Sequence, residues 1–159
     1  MLNRLGGIVC VERSAIGDAE GTGKLRAAGV CDLNTLTASS VKAFGDLRPV
    51  STLDVPMTTL DGYCQEKQIQ PTCVKIDVEG WELHVLRGME QLLRTDAVVV
   101  CEMHPQHWLD GAQTAGEILR VLERNGRFAT DLNGEPISRF DYGPCVLDRK
   151  RPAGSAPGS

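Results

Sequence analysis

Residues 73–101 read CVKIDVEGWELHVLRGMEQLLRTDAVVVC, and this stretch decides the fold. Cys73-Val74-Lys75-Ile76-Asp77 is short and rich in apolar residues, the pattern of a strand, and it ends in an acid. The spacing of Trp81, Val85, Leu86, Met89, Leu92 and Leu93 predicts a helix over Glu79 to Arg94. Glu79 and Glu82 fall in its first turns and Arg94 in its last, as the helix dipole prefers. Ala97-Val98-Val99-Val100-Cys101 follows directly and is apolar at every position, as expected of a parallel strand buried on both faces. Strand, helix and strand in this order predict a right-handed crossover and a parallel pair.

Working outward, Ile8-Val9-Cys10-Val11 reads as a strand that leads into Ser14-Ala15-Ile16-Gly17-Asp18. After the turn residues Gly21-Thr22-Gly23, a short strand is expected near Lys24 to Ala28, then weakly patterned, irregular chain to Pro49. Val50 to Met57 reads as extended chain that Pro56 limits to a sheet edge or strand end. Thr58 and Asp61 mark a helix start, Leu60, Tyr63 and Cys64 give that helix an apolar face, and Gln70-Pro71 breaks it. Downstream, Thr114 and Glu117 form a capping box before Ile118, Leu119 and Leu122, and Asn125-Gly126 supplies a left-handed stop. Phe128 to Leu132 and Cys145-Val146-Leu147 read as strands around an Asn133-Gly134 turn. The gap between these two strands is too short for a helical crossover, so the last should run antiparallel to the rest. The fold class is therefore α/β, a mostly parallel sheet covered by helices on both faces, with an antiparallel last strand. One domain spans residues 1–150, and the Pro-, Ala-, Gly- and Ser-only tail at 151–159 beyond Arg151 is expected to be disordered.

Composition excludes several classes. The 159 residues carry a net charge of −4, which argues against a protein that coats nucleic acid. The run from Ala97 to Cys101 is far too short to cross a bilayer, and Met1 to Gly7 lacks the apolar block of a signal peptide. The six cysteines contain no CxxC pair. They read as small hydrophobes of a reducing, cytoplasmic compartment, with Cys10, Cys73 and Cys101 inside buried strands.

In open α/β sheets ligands bind beyond the carboxyl ends of the strands. That rule selects Asp77-Val78-Glu79-Gly80 and Glu102-Met103-His104-Pro105, whose acidic groups should face one crevice. Such crowding of ionisable groups is a mark of function, because like charges repel or share protons unless a cation or donor sits among them. Plainer readings exist for each. Glu79 would be a first-turn carboxylate, Asp77 a helix cap, Glu102 and His104 a solvated loop, and His84 a surface residue. His104 and His107 would also suit a metal together with Glu102 or Asp77, but with no helix beneath them the spacing is weak, and no metal site is assigned. Gly21-Thr22-Gly23-Lys24 is not a phosphate loop, because Asp18 stands where its first Gly belongs and Leu25 where Ser or Thr belongs.

Val74-Lys75-Ile76-Asp77-Val78-Glu79-Gly80-Trp81-Glu82, followed by Val85-Leu86-Arg87-Gly88, resembles the signature of the FkbM family of methyltransferases. Ser14 to Asp18 upstream, Thr59-Leu60-Asp61 before the signature and Val100 to Pro105 after it resemble the same family in the same order. The resemblance implies a class I, Rossmann-like methyltransferase sheet, with Ile8 in its third strand, Cys73 to Asp77 its fourth and Ala97 to Cys101 its fifth. It implies S-adenosylmethionine as cofactor and O-methylation of a small-molecule or sugar hydroxyl. Ala15 and Ile16 would lie near the adenine and Asp77 near the methyl donor. Glu79 and His104 would be the candidate bases, with Asp77 and Glu102 positioning acceptor or cofactor. The Gly-rich loop and the ribose-binding acid that open the family's domain, roughly 60 residues of βαβα, have no counterpart here. The chain is therefore expected to be the C-terminal two-thirds of such a domain, with an unpaired edge on the Cys73 strand. The competing expectations are a catalytically inactive remnant or interaction module, and a metal-dependent enzyme using Asp77, Glu102, His104 and His107.

Overall fold

The computed structural model describes residues 8–27, 36, 51–108 and 111–149. Two short strands, β1 (Ala15–Ile16) and β2 (Gly21–Ala27), precede β3 (Ser51–Thr58) and helix α1 (Leu60–Lys67). Strand β4 (Cys73–Ile76) then leads to helices α2 (Glu82–Arg87) and α3 (Glu90–Leu93), and strand β5 (Val98–Met103) follows. A 3-10 turn at Pro105–His107, helix α4 (Gly111–Arg124), and strands β6 (Arg127–Thr130) and β7 (Gly143–Arg149) complete the order.

The strands form two sheets. One has the order β1-β3-β2, with β1 parallel and β2 antiparallel to β3. The other has the order β4-β5-β7-β6. In it β4 and β5 are parallel, and β7 runs antiparallel to both its neighbours, β5 and β6. The α/β class and the reversed last strand thus stand as expected, with β7 inserted between β5 and β6. β3 is central in its sheet, yet β1 covers only Met57 and Thr58, so Pro56 lies where only β2 pairs.

Several local expectations are corrected. Ile8 to Val11 is irregular, with Ile8 82% and Val11 66% exposed, because among the described residues no strand pairs with this β-branched run. Cys10 and Cys73 are exposed, the first for that reason and the second at the start of β4, which pairs on one side only among the described residues; Cys101 and Cys145 are buried. β5 buries one face completely (Val99, Cys101, Met103), but Val98 on the other is 51% exposed. The α1 cap is Thr59, whose side chain accepts from the Gly62 N–H at 3.0 Å. Thr114 is inside α4, and Glu117 reaches across to Arg87 rather than back to a cap. The irregular chain expected between 30 and 49 (Leu36 aside) and the tail at 151–159 lie outside the described residues.

The helix expected over Glu79 to Arg94 is two helices. It starts only at Glu82, and it breaks between Arg87 and Glu90. The break has a tertiary cause. A side chain on Gly88 would collide with the Gly17 carbonyl oxygen, and the Gly88 carbonyl accepts the Asp61 N–H at 3.0 Å. The Asp61 carboxylate in turn accepts the Gln91 and Leu92 N–H groups at 2.8 and 3.0 Å and so caps α3 from outside.

The core lies on β5 and β7, under α2, α3 and α4, and is built from Leu86, Met89, Leu93, Val99, Ile118, Leu122 and Leu147. Arg127 is 3% exposed and ties its margin together. Its guanidinium donates to the carbonyls of Leu93, Thr95, Ala97 and Leu147 at 2.6–2.9 Å. No helix among the described residues is long and apolar enough to cross a membrane.

Candidate functional site

The site is built by the turn that follows β4. Glu79 and Gly80 both have positive φ, 50° and 96°. Gly80 is required twice over: its backbone disfavours any side chain, and a Cβ there would stand 2.7 Å from the His107 Cβ. This left-handed step keeps Glu79 out of the helix and delivers its carboxylate between two imidazoles. Glu79 Oε1 lies 3.4 Å from His104 Nε2, and Glu79 Oε2 lies 3.2 Å from His107 Nδ1. The two imidazoles stack at 5.7 Å between centroids. Neither the first-turn reading of Glu79 nor the cap reading of Asp77 holds, since α2 begins at Glu82, with Trp81 at the cap position and no side-chain cap bond.

β5 brings the second set of groups. It is parallel to β4, so Ile76 pairs with Cys101 and the two strand ends emerge side by side. Asp77, Glu102 and His104 each offer an atom within 4.8 Å of the others. Lys75 enters this group, with its Nζ 2.5 Å from Asp77 Oδ2 and 3.6 Å from Glu102 Oε2. Its hydrogen bond to Asp77 and the two carboxylate charges raise the ammonium's pKa. Lys75 thus already supplies a cation to the carboxylates that the metal reading requires, and His107 turns to Glu79 instead of joining them. His104 is 1% exposed, so the solvated-loop reading fails for it.

Beneath these groups sits Glu82, which is fully buried. Its Oε1 accepts from the Gly80 N–H at 2.9 Å and faces His104 Nδ1 at 2.8 Å, and its Oε2 accepts from the Trp108 indole at 2.7 Å. Burial works to raise its carboxyl, but the His104, Trp108 and Gly80 hydrogen bonds outweigh it and hold the group below the ordinary value. Burial likewise works to lower the His104 imidazole, yet the Glu82 hydrogen bond and the Glu79, Glu82 and Asp77 charges bring it above its ordinary value. His107 moves the other way, lowered by burial and by His104 in spite of Glu79.

On the far side of Asp77 lies a cavity of about 530 Å³, between the small sheet and the β4 turn. Ala15, Ile16, Leu25 and Val55 form apolar wall, and Asp77 and Trp81 close it from the other sheet. Trp81 stacks on His84 at 3.6 Å, and His84 Nδ1 pairs with Asp18 at 2.8 Å, which ties α2 to the loop after β1. The residues picked from sequence therefore divide into two groups that share one member. Ala15, Ile16 and Asp77 line the cavity, while Asp77, Glu79, Glu102 and His104 form the polar cluster.

Sequence reasoning missed Glu82, Lys75 and Trp108. Glu82 carried a usable signal: it is spaced three and four residues before Val85 and Leu86, and so is in register with the apolar stripe. A carboxylate on a buried helix face needs partners, and that need pointed to a site. Lys75 and Trp108 carried no such signal, because their roles depend on which strand and turn lie beside them.

The family model for the methyltransferase FkbM domain matches residues 8–128. No curated protein and no solved structure matches the chain.

Proposed function

Because the chain belongs to the FkbM methyltransferase family, we propose that it serves S-adenosylmethionine-dependent methylation of a hydroxyl oxygen on a small molecule or sugar. The observation that carries this reading is the double position of Asp77. It lines the 530 Å³ cavity and also stands 3.9 Å from His104 Nε2, so a cofactor compartment and a proton-accepting cluster meet at one carboxylate.

The residues fit that cofactor. Ala15, Ile16, Leu25 and Val55 offer an apolar slot to a flat purine, and the volume is in the range of small-molecule sites. The Asp77 carboxylate suits a neighbouring cationic sulfonium. When bound, S-adenosylmethionine supplies an electrophilic methyl group on sulfur.

The chain's own residues align the acceptor and take its proton. His104 Nε2 is the base for the hydroxyl, and Glu79 at 3.4 Å stabilises the imidazolium that results. Asp77 and Glu102 orient the acceptor, and Lys75 relieves the repulsion between them. Burial acts to lower the His104 pKa, but the Glu82 hydrogen bond and the Glu79, Glu82 and Asp77 charges leave it above the ordinary imidazole value. Transfer is therefore expected to increase as the pH rises through a midpoint above the ordinary imidazole value. A pH–rate profile checks this, and a rise confined to the carboxylate range would assign the base to Glu79 instead.

Calorimetry with S-adenosylmethionine on the folded full chain tests the reading at its root. Saturable heat is expected, and its loss in Ile16→Glu and Asp77→Ala would locate binding in the cavity. No heat at millimolar cofactor would overturn catalysis by this chain and favour a non-catalytic interaction module.

A further inference from the structure

We propose that Glu82 is the positioning residue of the His104 base: a buried carboxylate that takes the proton side of Nδ1 and leaves Nε2 to face the acceptor. The inference rests on the reading of His104 given above. It goes beyond that reading by assigning a role to a residue outside the strand-end cluster.

A fully buried carboxylate such as that of Glu82 is tolerated only when its oxygens are filled by donors. Two of its three partners, the Gly80 N–H at 2.9 Å and the Trp108 indole at 2.7 Å, donate and cannot accept. Glu82 must therefore act as an acceptor on both oxygens. Its Oε1 meets His104 Nδ1 at 2.8 Å as well, and a carboxyl that its donors hold in the ionised form has no proton to give, so that nitrogen carries one. In the neutral imidazole only one ring nitrogen is protonated, which leaves the lone pair on Nε2. Nε2 is the nitrogen that faces Glu79 at 3.4 Å and Asp77 at 3.9 Å.

A helix-start carboxylate with a merely structural task needs only backbone N–H groups, and exposure to water would serve it better. Glu82 instead is fully buried and binds, beside the Gly80 N–H, the His104 imidazole and the Trp108 indole. The arrangement is that of a base oriented by a buried acid, here with the acid on α2 and the base at the end of β5. Trp108 completes it, because filling Oε2 keeps Glu82 from rotating away from Nδ1.

The groups facing His104 are Glu82, Glu79 and Asp77, the Glu102 carboxylate close by, and the rings of His107 and Tyr142. The experiment is a pH series of long-range proton–nitrogen NMR spectra on the full chain without methyl donor. The chain has three histidines, and His84→Gln and His107→Gln assign the signals. In the wild type, neutral His104 is expected to hold its proton on Nδ1. In Glu82→Gln its titration midpoint is expected to fall by about one pH unit, since one facing anion is lost. Neutral His104 protonated on Nε2 in the wild type would overturn the inference, even if Glu82→Gln fails to fold. An unchanged midpoint in a folded Glu82→Gln would overturn it too. Neither readout requires cofactor, so the absence of calorimetric heat and the failure of this inference are separate results.

Discussion

Gly80 shows how much one residue decides here. Its φ of 96° and the 2.7 Å that would separate a Cβ from His107 make it a position where any side chain meets both strain and collision. Gly80→Ala is expected to cost about 1–3 kcal/mol, read as a lower midpoint in urea, and to dislodge Glu79 from between the imidazoles. Glu82 and His104 give the pH dependence its sign. Burial raises the Glu82 carboxyl, but hydrogen bonds from His104, Trp108 and Gly80 leave it net depressed, so its stabilisation is present above the unfolded carboxyl value and fades as pH falls through the folded one. Burial lowers His104, but Glu82 and the nearby carboxylates leave it net raised, so its stabilisation is present below the unfolded imidazole value and fades as pH rises through the folded one. Stability is therefore expected to be greatest between those two windows. Urea midpoints measured across them check this, and Glu82→Gln should flatten the acid limb. The residue-scale chemistry was only half legible. Asp77, Glu79, Glu102 and His104 stood out because strand ends in α/β sheets collect ligand-binding groups. Glu82 did not, because first-turn acids are common; its register with Val85 and Leu86 signals burial but not the partners that burial gives it.

Among the elements, the junction of α2 and α3 is the informative one. The apolar spacing from Trp81 to Leu93 is that of one helix, and the same residues do enter the core. The interruption comes from elsewhere in the chain. Gly17 approaches Gly88 too closely for any side chain, and Asp61 caps the second piece. Helix propensity alone favours Ala over Gly at position 88 by about 1 kcal/mol. The collision with the Gly17 carbonyl should dominate, so Gly88→Ala is expected to destabilise. Asp61→Ala is expected to cost about 0.5–2 kcal/mol through the lost cap, measured by chemical denaturation. The opposite outcome for Gly88→Ala, a stabilised chain, would mean that the close approach is absent. The same logic explains why Ile8 to Val11 is no strand. β-branched residues fit a pleated surface, but they form a strand only where another strand supplies the ladder.

At the scale of the whole molecule, the two sheets meet around the cavity, and the larger one is secured at its margin by Arg127. Four carbonyls from the end of α3, the segment before β5, and β7 converge on its guanidinium. Arg127→Met removes all of these donors and leaves buried carbonyls without them, for an expected loss of about 3–5 kcal/mol. Arg127→Lys should recover only part, because an ammonium cannot reach four acceptors in a planar fork. Thermal unfolding of both variants checks the order wild type, Lys, Met. By contrast, surface pairs such as Lys24–Asp54, 68% and 65% exposed, should contribute almost nothing measurable.

What the amino-acid sequence determined by itself was the alternation of elements from α1 onward, the reversed direction of β7 and the family. The first two rest on local periodicity and connection length, and the family on the motif from Val74 to Gly88; all are properties of the chain. Long-range packing set where the long helix breaks, how the chain divides between two sheets, and that a buried acid stands behind His104. Those features depend on contacts between residues far apart in sequence, such as Gly17 with Gly88 and Glu82 with His104 and Trp108. No spacing rule encodes them, because burial and close approach exist only once the chain has packed.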